Sequence, residues 1–493
     1  MPDLNTILLL KNLSSAEVNL FRQFLNSPYH NRSKKIIKLY NTLIKFYPEF
    51  NGRKLTKKYI MEQISPGTEY NDSTFRALMH DLYSLAQSFL VNESLKNNLT
   101  DNTLLLLKDL YKRKLYSVIN SRIKFTEKKL KNRVSESSIY YYRFLTESYK
   151  YNIHSITSSG LKKVNASKKL GIIAGSDIYL TLYYLTEIIS DFTNQAINRV
   201  KFNIEEPDNF SDSLISAINF DKIFRLFNRH KELIHIVILY KALFDLFSDI
   251  TNRNKFEIYR DTLKSSEKLL SGDESSFHYS RLISCCILNH ETDGSKYYNN
   301  ELFFLYNYFI RKKLYSDNKT SFMPSNLYRT VLLNALRLKK YKWALNFIKK
   351  YINESEERSR NNLLNWSYAV YYNEINDNTR SMYYISLIKV DYFIFKYDLY
   401  NIKLKIYYEL DDPQKVIDFI HTYKEFLRND KFFSGTRKVL YMNFIKAVEL
   451  LVKIRENKNL FSIEYFKDNY TGSEKILYKD WLLNKLQTIE KAL

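Results

Sequence analysis

His278, Cys286 and His290 fall on one face of an expected helix, and imidazole with thiolate is a ligand set that zinc favours. Their spacing argues against a shared ion. Eight helical residues rise roughly 12 Å, whereas zinc ligands stand about 2.0–2.3 Å from the metal. Cys286 and His290 alone would need two further ligands, and a cysteine beside Ile283 and Ile287 reads as a small core residue. No phosphate-cradling loop is present: Gly171 and Gly175 lack a following Lys-Ser/Thr or a third glycine. There is no Gly-x-Ser-x-Gly elbow and no His-Glu-x-x-His, and His230 and His235 lie on different parts of a helix. The pairs Glu205-Glu206 and Glu356-Glu357 stand in polar stretches and read as solvated surface. No metal, no cofactor and no catalytic site are expected, so the chain is not read as an enzyme.

Charge is the stronger signal. Between Lys108 and Arg133 stand ten lysines and arginines (Lys108, Lys112, Arg113, Lys114, Arg122, Lys124, Lys128, Lys129, Lys131 and Arg133) against Asp109 and Glu127. Lys124, Lys128 and Lys131 share a helical face that could follow a phosphate backbone or an acidic protein, or could simply be solvated. Arg32, Lys34, Lys35 and Lys38, with Lys54, Lys57 and Lys58, form a second basic cluster. The whole chain carries a formal charge of +23. That charge favours polyanions, although an AT-rich coding bias toward Lys, Asn, Ile, Tyr and Phe would raise it without selection for binding. The 42 tyrosines, clustered at Tyr140 to Tyr142, Tyr371-Tyr372 and Tyr383-Tyr384, read mainly as packing between helices, with stacking on bases or peptides as the alternative.

The elements that must position these residues are helices. Glycine and proline together number 16 of 493 residues (Gly 9, Pro 7), about 3% where roughly 12% is usual. Strand-rich folds need turn glycines at short intervals, so this chain reads as long helices joined by short polar links. With 45% hydrophobic and 16% aromatic residues, there is apolar surface enough to offset chain entropy. Cys285 and Cys286 are adjacent and cannot staple distant segments. The apolar stretches Ile7 to Leu10 and Ile234 to Leu246 are too short for a secretory signal and a membrane span. A soluble, cytoplasmic protein without membrane contact is expected.

Three segments are expected: an N-terminal helical unit at 1–95, a central helical array at 101–320 and C-terminal repeats at 321–493. In the first, Ser14 or Ser15 and Thr56 read as helix caps, and Phe75, Leu78, Leu82, Leu85 and Phe89 form a helical stripe. Its helix order resembles a helix-turn-helix or winged-helix domain. The would-be reading helix, however, offers Ser73, Arg76, His80, Asp81, Ser84 and Gln87, one arginine against one aspartate, which argues against base recognition. From Thr103 to Arg133 either two helices or one long helix fits. Ser155 to Ser176, with three glycines, reads as the longest connection, and Asn203 to Ser213 as a second polar gap. Further helices are expected at about 214–229, 231–251, 255–270, 275–291 and 297–315, and a terminal cap helix near Glu474 to Ala492.

One internal repeat stands out. Ala344, Met382 and Val416 are spaced by 38 and 34 residues, and sixteen residues before each stands an aromatic: Tyr328, Trp366 and Tyr400. Tyr341, Thr379 and Pro413 mark the expected starts of the second helices. Each unit reads as a hairpin in which an aromatic packs on a small or branched residue, and stacking buries what one hairpin cannot. Residues 327–427 thus resemble the tetratricopeptide family in the run Tyr328-Arg-Thr-Val-Leu-Leu-Asn-Ala335 followed by Leu338, Tyr341, Ala344 and Ile348. Leu332, Val370 and Leu404 stand where that family places glycine, and its closing proline is absent. The resemblance implies a helical-hairpin solenoid that holds a protein or peptide. The expected function is an all-α, non-enzymatic interaction scaffold whose basic residues, Lys108, Lys112, Arg113, Arg122, Lys124, Lys128 and Lys131, select an acidic partner. The competing reading is a nucleic-acid-binding or regulatory protein using the basic N-terminal and central helices.

Overall fold

The computed structural model describes residues 4–130, 137–157, 163–202, 210–293, 296–316, 322–389, 393–429, 435–457, 460–470 and 476–491. Among them are only helices and turns. The fold is all-α. They fall into two compact units, within Met1–Asn132 with Tyr141–Asp177, and within Arg133–Tyr140 with Ile178–Leu493.

The first unit opens with α1 (Leu4–Lys11), α2 (Ser15–Asn26), α3 (Lys34–Leu43), α4 (Lys57–Ile64) and α5 (Asp72–Asn97). Ser14 caps α2 as expected: its Oγ accepts from the Glu17 amide at 3.3 Å while the Glu17 carboxylate accepts from the Ser14 amide at 2.7 Å. Thr56 caps α4 by accepting from the Tyr59 amide. Phe21, Leu39, Tyr40, Ile60, Phe75, Leu82 and Phe89 close a core of their own. Helix α1, too short and too uniformly apolar to show a period, packs on α5 and buries Leu10. No strand occurs among the described residues here, so the wing of a winged helix is missing and the resemblance reduces to a helical cluster.

Helices α6 (Leu99–Lys112) and α7 (Tyr116–Leu130) follow, two helices where one was also admissible. α8 (Ser137–Thr157) and α9 (Lys163–Phe202) replace the long connection expected at Ser155 to Ser176. Gly171 and Gly175 sit inside α9. Isolated helical glycines cost about 1 kcal/mol each relative to alanine, and Leu182, Leu185 and Ile189 further along α9 anchor it in the second unit's core. Within Lys169–Val200 of α9 an 18-residue stretch of mean hydropathy 1.2 is long and apolar enough to cross a bilayer, unlike the shorter stretches at Ile7 to Leu10 and Ile234 to Leu246; 28% of that stretch is buried inside the protein.

The second unit continues with α10 (Phe210–Ala217), α11 (Phe220–Leu226), α12 (Ile234–Ser248), α13 (Arg253–Ser266), α14 (Gly272–Asp293) and α15 (Lys296–Arg311). α16 (Ser325–Arg337), α17 (Tyr341–Tyr351), α18 (Glu357–Glu374), α19 (Asn378–Ser386), α20 (Phe393–Glu409) and α21 (Pro413–Asn429) follow as consecutive contacting pairs, and α22 (Gly435–Asn457), α23 (Leu460–Tyr470) and α24 (Lys479–Glu490) come last. One buried core takes in Tyr140 and extends from Leu182 to Ile406, and a second runs from Tyr397 to Ile489. The expected division at 320 therefore falls inside a continuous core, and that at 95 inside α5.

The hairpin turns explain how a glycine-poor chain reverses direction. Lys114, Lys313, Lys339, Asn376 and Asp411 adopt φ of 61°, 55°, 56°, 60° and 57°, the left-handed conformation that glycine usually supplies. After α16 the Lys340 amide donates to the Ala335 carbonyl at 2.9 Å and the Lys339 amide to Leu336 at 2.8 Å, the paired closing bonds of a Schellman motif. The same pair follows α6 (Leu115 to Leu110, Lys114 to Tyr111), α15 (Leu314 to Phe309, Lys313 to Ile310) and α18 (Asp377 to Tyr372, Asn376 to Asn373). A Cβ in this conformation is strained by about 1–2 kcal/mol. Lys339 is exposed, so Lys339→Gly should raise the unfolding free energy by about 0.5–1 kcal/mol net of glycine's unfolded-state entropy, and with it the denaturation midpoint. A lower midpoint in urea melts would contradict this account.

Candidate functional site

The basic hairpin α6–α7 is built on two buried stripes. Thr103, Leu107 and Leu110 of α6 and Ile119, Ile123, Thr126 and Leu130 of α7 turn inward at three- and four-residue steps, and the Thr103 and Thr126 hydroxyls share a buried hydrogen bond at 3.0 Å. The Lys114 turn sets the two helices antiparallel. Lys108 and Lys112 on α6, and Lys124 and Lys128 on α7, are thereby held on the sides opposite these stripes, and all four are exposed. Lys131 lies outside the described residues.

Acidic groups on the hairpin are all engaged elsewhere. Asp101 accepts from the Asn98 side chain at 2.9 Å. Asp109 takes Arg113 at 2.7 Å. Glu127 turns toward α8 and takes Lys150 at 2.9 Å, while Lys150 also meets Glu147 at 2.7 Å. Among the described residues, Lys108, Lys112, Lys124 and Lys128 pair with no carboxylate. The seven expected site residues thus divide: Arg113 is spent on Asp109, and Arg122 bonds Asn102 at 3.1 Å and lies 5.3 Å from the Phe125 ring centroid. Lys129, which was not selected, stands over the same ring at 4.7 Å. Phe125, Leu105 and Val118 are 46%, 54% and 46% exposed, an apolar component that charge counting overlooked.

The other sequence candidates find protein partners. Arg76 on the would-be reading helix α5 is taken by Asp72 at 2.7 Å, and His80 stands 3.8 Å from Asp81. Lys57 of the N-terminal basic cluster also meets Asp72, at 2.9 Å. The clustered tyrosines divide as well: Tyr140 and Tyr142 are buried, Tyr141 and Tyr383 exposed. Tyr372 and Tyr384 stack at 5.6 Å under Arg380.

His278, Cys286 and His290 go separate ways. His278 Nδ1 bonds the Tyr259 hydroxyl at 2.7 Å, and its Nε2 lies 3.4 Å from the Glu274 carboxylate, which also accepts from Tyr240 at 3.4 Å. This carboxylate, imidazole and phenol chain is wholly buried, and burial holds the imidazole below its ordinary pKa against the opposing pull of Glu274. Surface depressions of about 150 Å³ beside Phe224 and Val237, and about 380 Å³ beside Lys58 and Tyr70, do not reach it. Cys286 is buried and its thiol is pushed well up by loss of hydration, leaving it unreactive. His290 meets Asn299 and Arg337. Glu205 and Glu206 lie outside the described residues.

The repeat residues pack much as hairpins require. Tyr328, Ala344, Trp366 and Val416 are fully buried. Tyr328 packs on Phe347 at 4.8 Å, and Tyr400 stacks on Phe426 at 4.5 Å. Met382 is only half-buried; the close approach is made by Ser381, whose Oγ donates to the Ala369 carbonyl at 2.8 Å. Asp377 caps α19, which starts at Asn378, one residue before the expected Thr379. No family model matches the chain, and no significant match is found among curated proteins or solved structures.

Proposed function

We propose that this chain is a non-catalytic interaction scaffold, a stack of helix hairpins of the tetratricopeptide kind, whose α6–α7 hairpin holds an acidic protein partner. The stacking is supported by the order of contacts: α16, α18 and α20 touch in turn, and α17, α19 and α21 each touch the first helix that follows. The partner reading rests on one observation, the four lysines that face solvent unpaired while every acid on the hairpin is engaged. Lys108 with Lys112 and Lys124 with Lys128 are like-charge neighbours one turn apart, each pair costing about 0.2–0.5 kcal/mol of helix stability. Such a cost is offset when an acidic surface docks. Exposed Leu105, Val118 and Phe125 add apolar contact beside the charge, and the chain's +23 speeds encounter with acidic partners.

The test is Lys124→Glu/Lys128→Glu, two exposed changes that leave the buried stripe intact. Binding of a labelled polyglutamate peptide should weaken tenfold or more at low salt; unchanged affinity removes this face from the mechanism. Phe125 between Arg122 and Lys129 favours a second reading, a single-strand nucleic-acid surface with a stacking aromatic. Titration with RNA and duplex DNA over several salt concentrations separates the two. RNA binding with a steep salt dependence, weakened by Phe125→Ala and accompanied by no peptide binding, selects the nucleic acid.

A further inference from the structure

The last helix, α24, lies against α20 and α22. The apolar stripe of α24, Leu482, Leu486 and Ile489, enters the core around α22. A second stripe on its flank does something else. Tyr478, at the N-cap, places its ring 4.9 Å from the Lys405 ammonium of α20 and 5.1 Å from the Phe444 ring of α22. Trp481 donates its indole N–H to Glu409 at 3.0 Å, and Lys485 gives its ammonium to the other oxygen of that carboxylate at 2.7 Å. Tyr478, Trp481 and Lys485 are spaced i, i+3 and i+7, the anchor pattern by which an amphipathic helix is read in a groove.

The receiving groups are those of a binding surface. Lys405 is 7% exposed; its ammonium donates to Asn373 at 3.0 Å and lies 3.7 Å from Glu374. Burial holds it below its ordinary pKa despite the two nearby carboxylates, Glu374 and Glu409, so the tyrosine ring is covering a charge that water would otherwise hydrate. Tyr478 reaches it only by adopting φ 54°, ψ 37°, a left-handed conformation costly for an aromatic residue. An end cap needs only apolar burial, which the other stripe supplies. Cation–π contact, a shared carboxylate and a strained entry residue are what a recognised ligand uses.

We infer that this face of α20 and α22 is a groove for a partner protein's helix, and that α24 is its resident occupant. The displacing helix carries an aromatic, a second aromatic and a basic residue at i, i+3 and i+7, which seat on Lys405 and Glu409 in place of Tyr478, Trp481 and Lys485. This goes beyond the α6–α7 proposal and is independent of it, since no basic-hairpin residue takes part.

The experiment uses the full chain and a fluorescent peptide of residues 476–490. Wild-type protein should bind it weakly, because the tethered copy competes at high effective concentration. Trp481→Ala/Lys485→Ala should bind it at least tenfold tighter; Lys485→Glu alone, which leaves the apolar stripe and both aromatics in place, should gain in the same direction and serves if the double variant does not fold. No gain in either variant overturns the inference. A charge swap adds specificity: with Glu409→Lys added to Lys485→Glu, the chain should prefer a Lys485→Glu peptide over the native one at least tenfold. Equal affinity for the two peptides would equally overturn it.

Discussion

Between pH 10 and about 12 the protein is expected to unfold cooperatively. Tyr40 and Tyr142 in the first unit, and Tyr279 and Tyr408 in the second, are buried, and loss of hydration pushes each phenol from 10.0 up to about 12. Neighbouring groups make smaller adjustments: Glu267 adds to the rise at Tyr279, whereas Arg455 opposes it at Tyr408. In the unfolded chain the same phenols ionise near 10, so within this window the folded state binds more protons and stability falls as pH rises. The stabilisation is complete below pH 10 and lost by about 12. Each phenol so held accounts for about 2–3 kcal/mol, and the two in each unit together reach about 5 kcal/mol, comparable with the lower end of a domain's whole stability. Exposed phenols ionise first with the helices intact; the remaining phenolate absorbance should then appear in one step together with the loss of helical circular dichroism. Complete phenolate formation with the helices intact would show that these four side chains are hydrated.

Asp398→Ala is expected to destabilise the C-terminal hairpins by about 3–5 kcal/mol. Asp398, 5% exposed on α20, receives both Nε and a terminal nitrogen of Arg329 on α16 in a bidentate pair. The bond joins the helix pair α16–α17 to the pair α20–α21. Truncating the aspartate strands a guanidinium that is three-quarters covered, and its desolvation is then uncompensated. Removing both charges is a different matter, because well-packed apolar replacements recover the cost of burying them. Arg329→Met/Asp398→Leu should therefore regain most of the loss in urea melts, and Arg329→Met alone should fall with Asp398→Ala. A single-variant loss below about 1 kcal/mol would mean that water reaches the pair.

Much of the helical order is legible in the residues. Ser14 and Thr56 mark helix starts because an oxygen-bearing side chain must satisfy the first free amides, and Tyr341 and Pro413 open second helices of hairpins where the repeat spacing places them. The turns are less legible. Lys114, Lys313 and Lys339 carry no turn signature of their own; the left-handed conformation is imposed by the helices on either side. The same blindness produced the expected connection over Ser155 to Ser176, where packing further along α9 outweighs the local preference of its glycines.

For the candidate site, composition located the α6–α7 lysines but not which of them are free. Arg113 and Lys128 have the same charge, yet one is engaged by Asp109 a turn earlier and the other faces only like charge. The pairing of Lys150 with Glu127 comes from another helix and leaves no periodic trace.

The residue pattern by itself determined an all-helical chain and an excess of basic groups, because periodicity, glycine scarcity and charge are properties of neighbours along the chain. Tertiary structure alone decided that Arg329 meets Asp398 and that Tyr478 covers Lys405. Those contacts join residues 69 and 73 positions apart, and their energies depend on how much water the folded chain excludes, which no local pattern encodes.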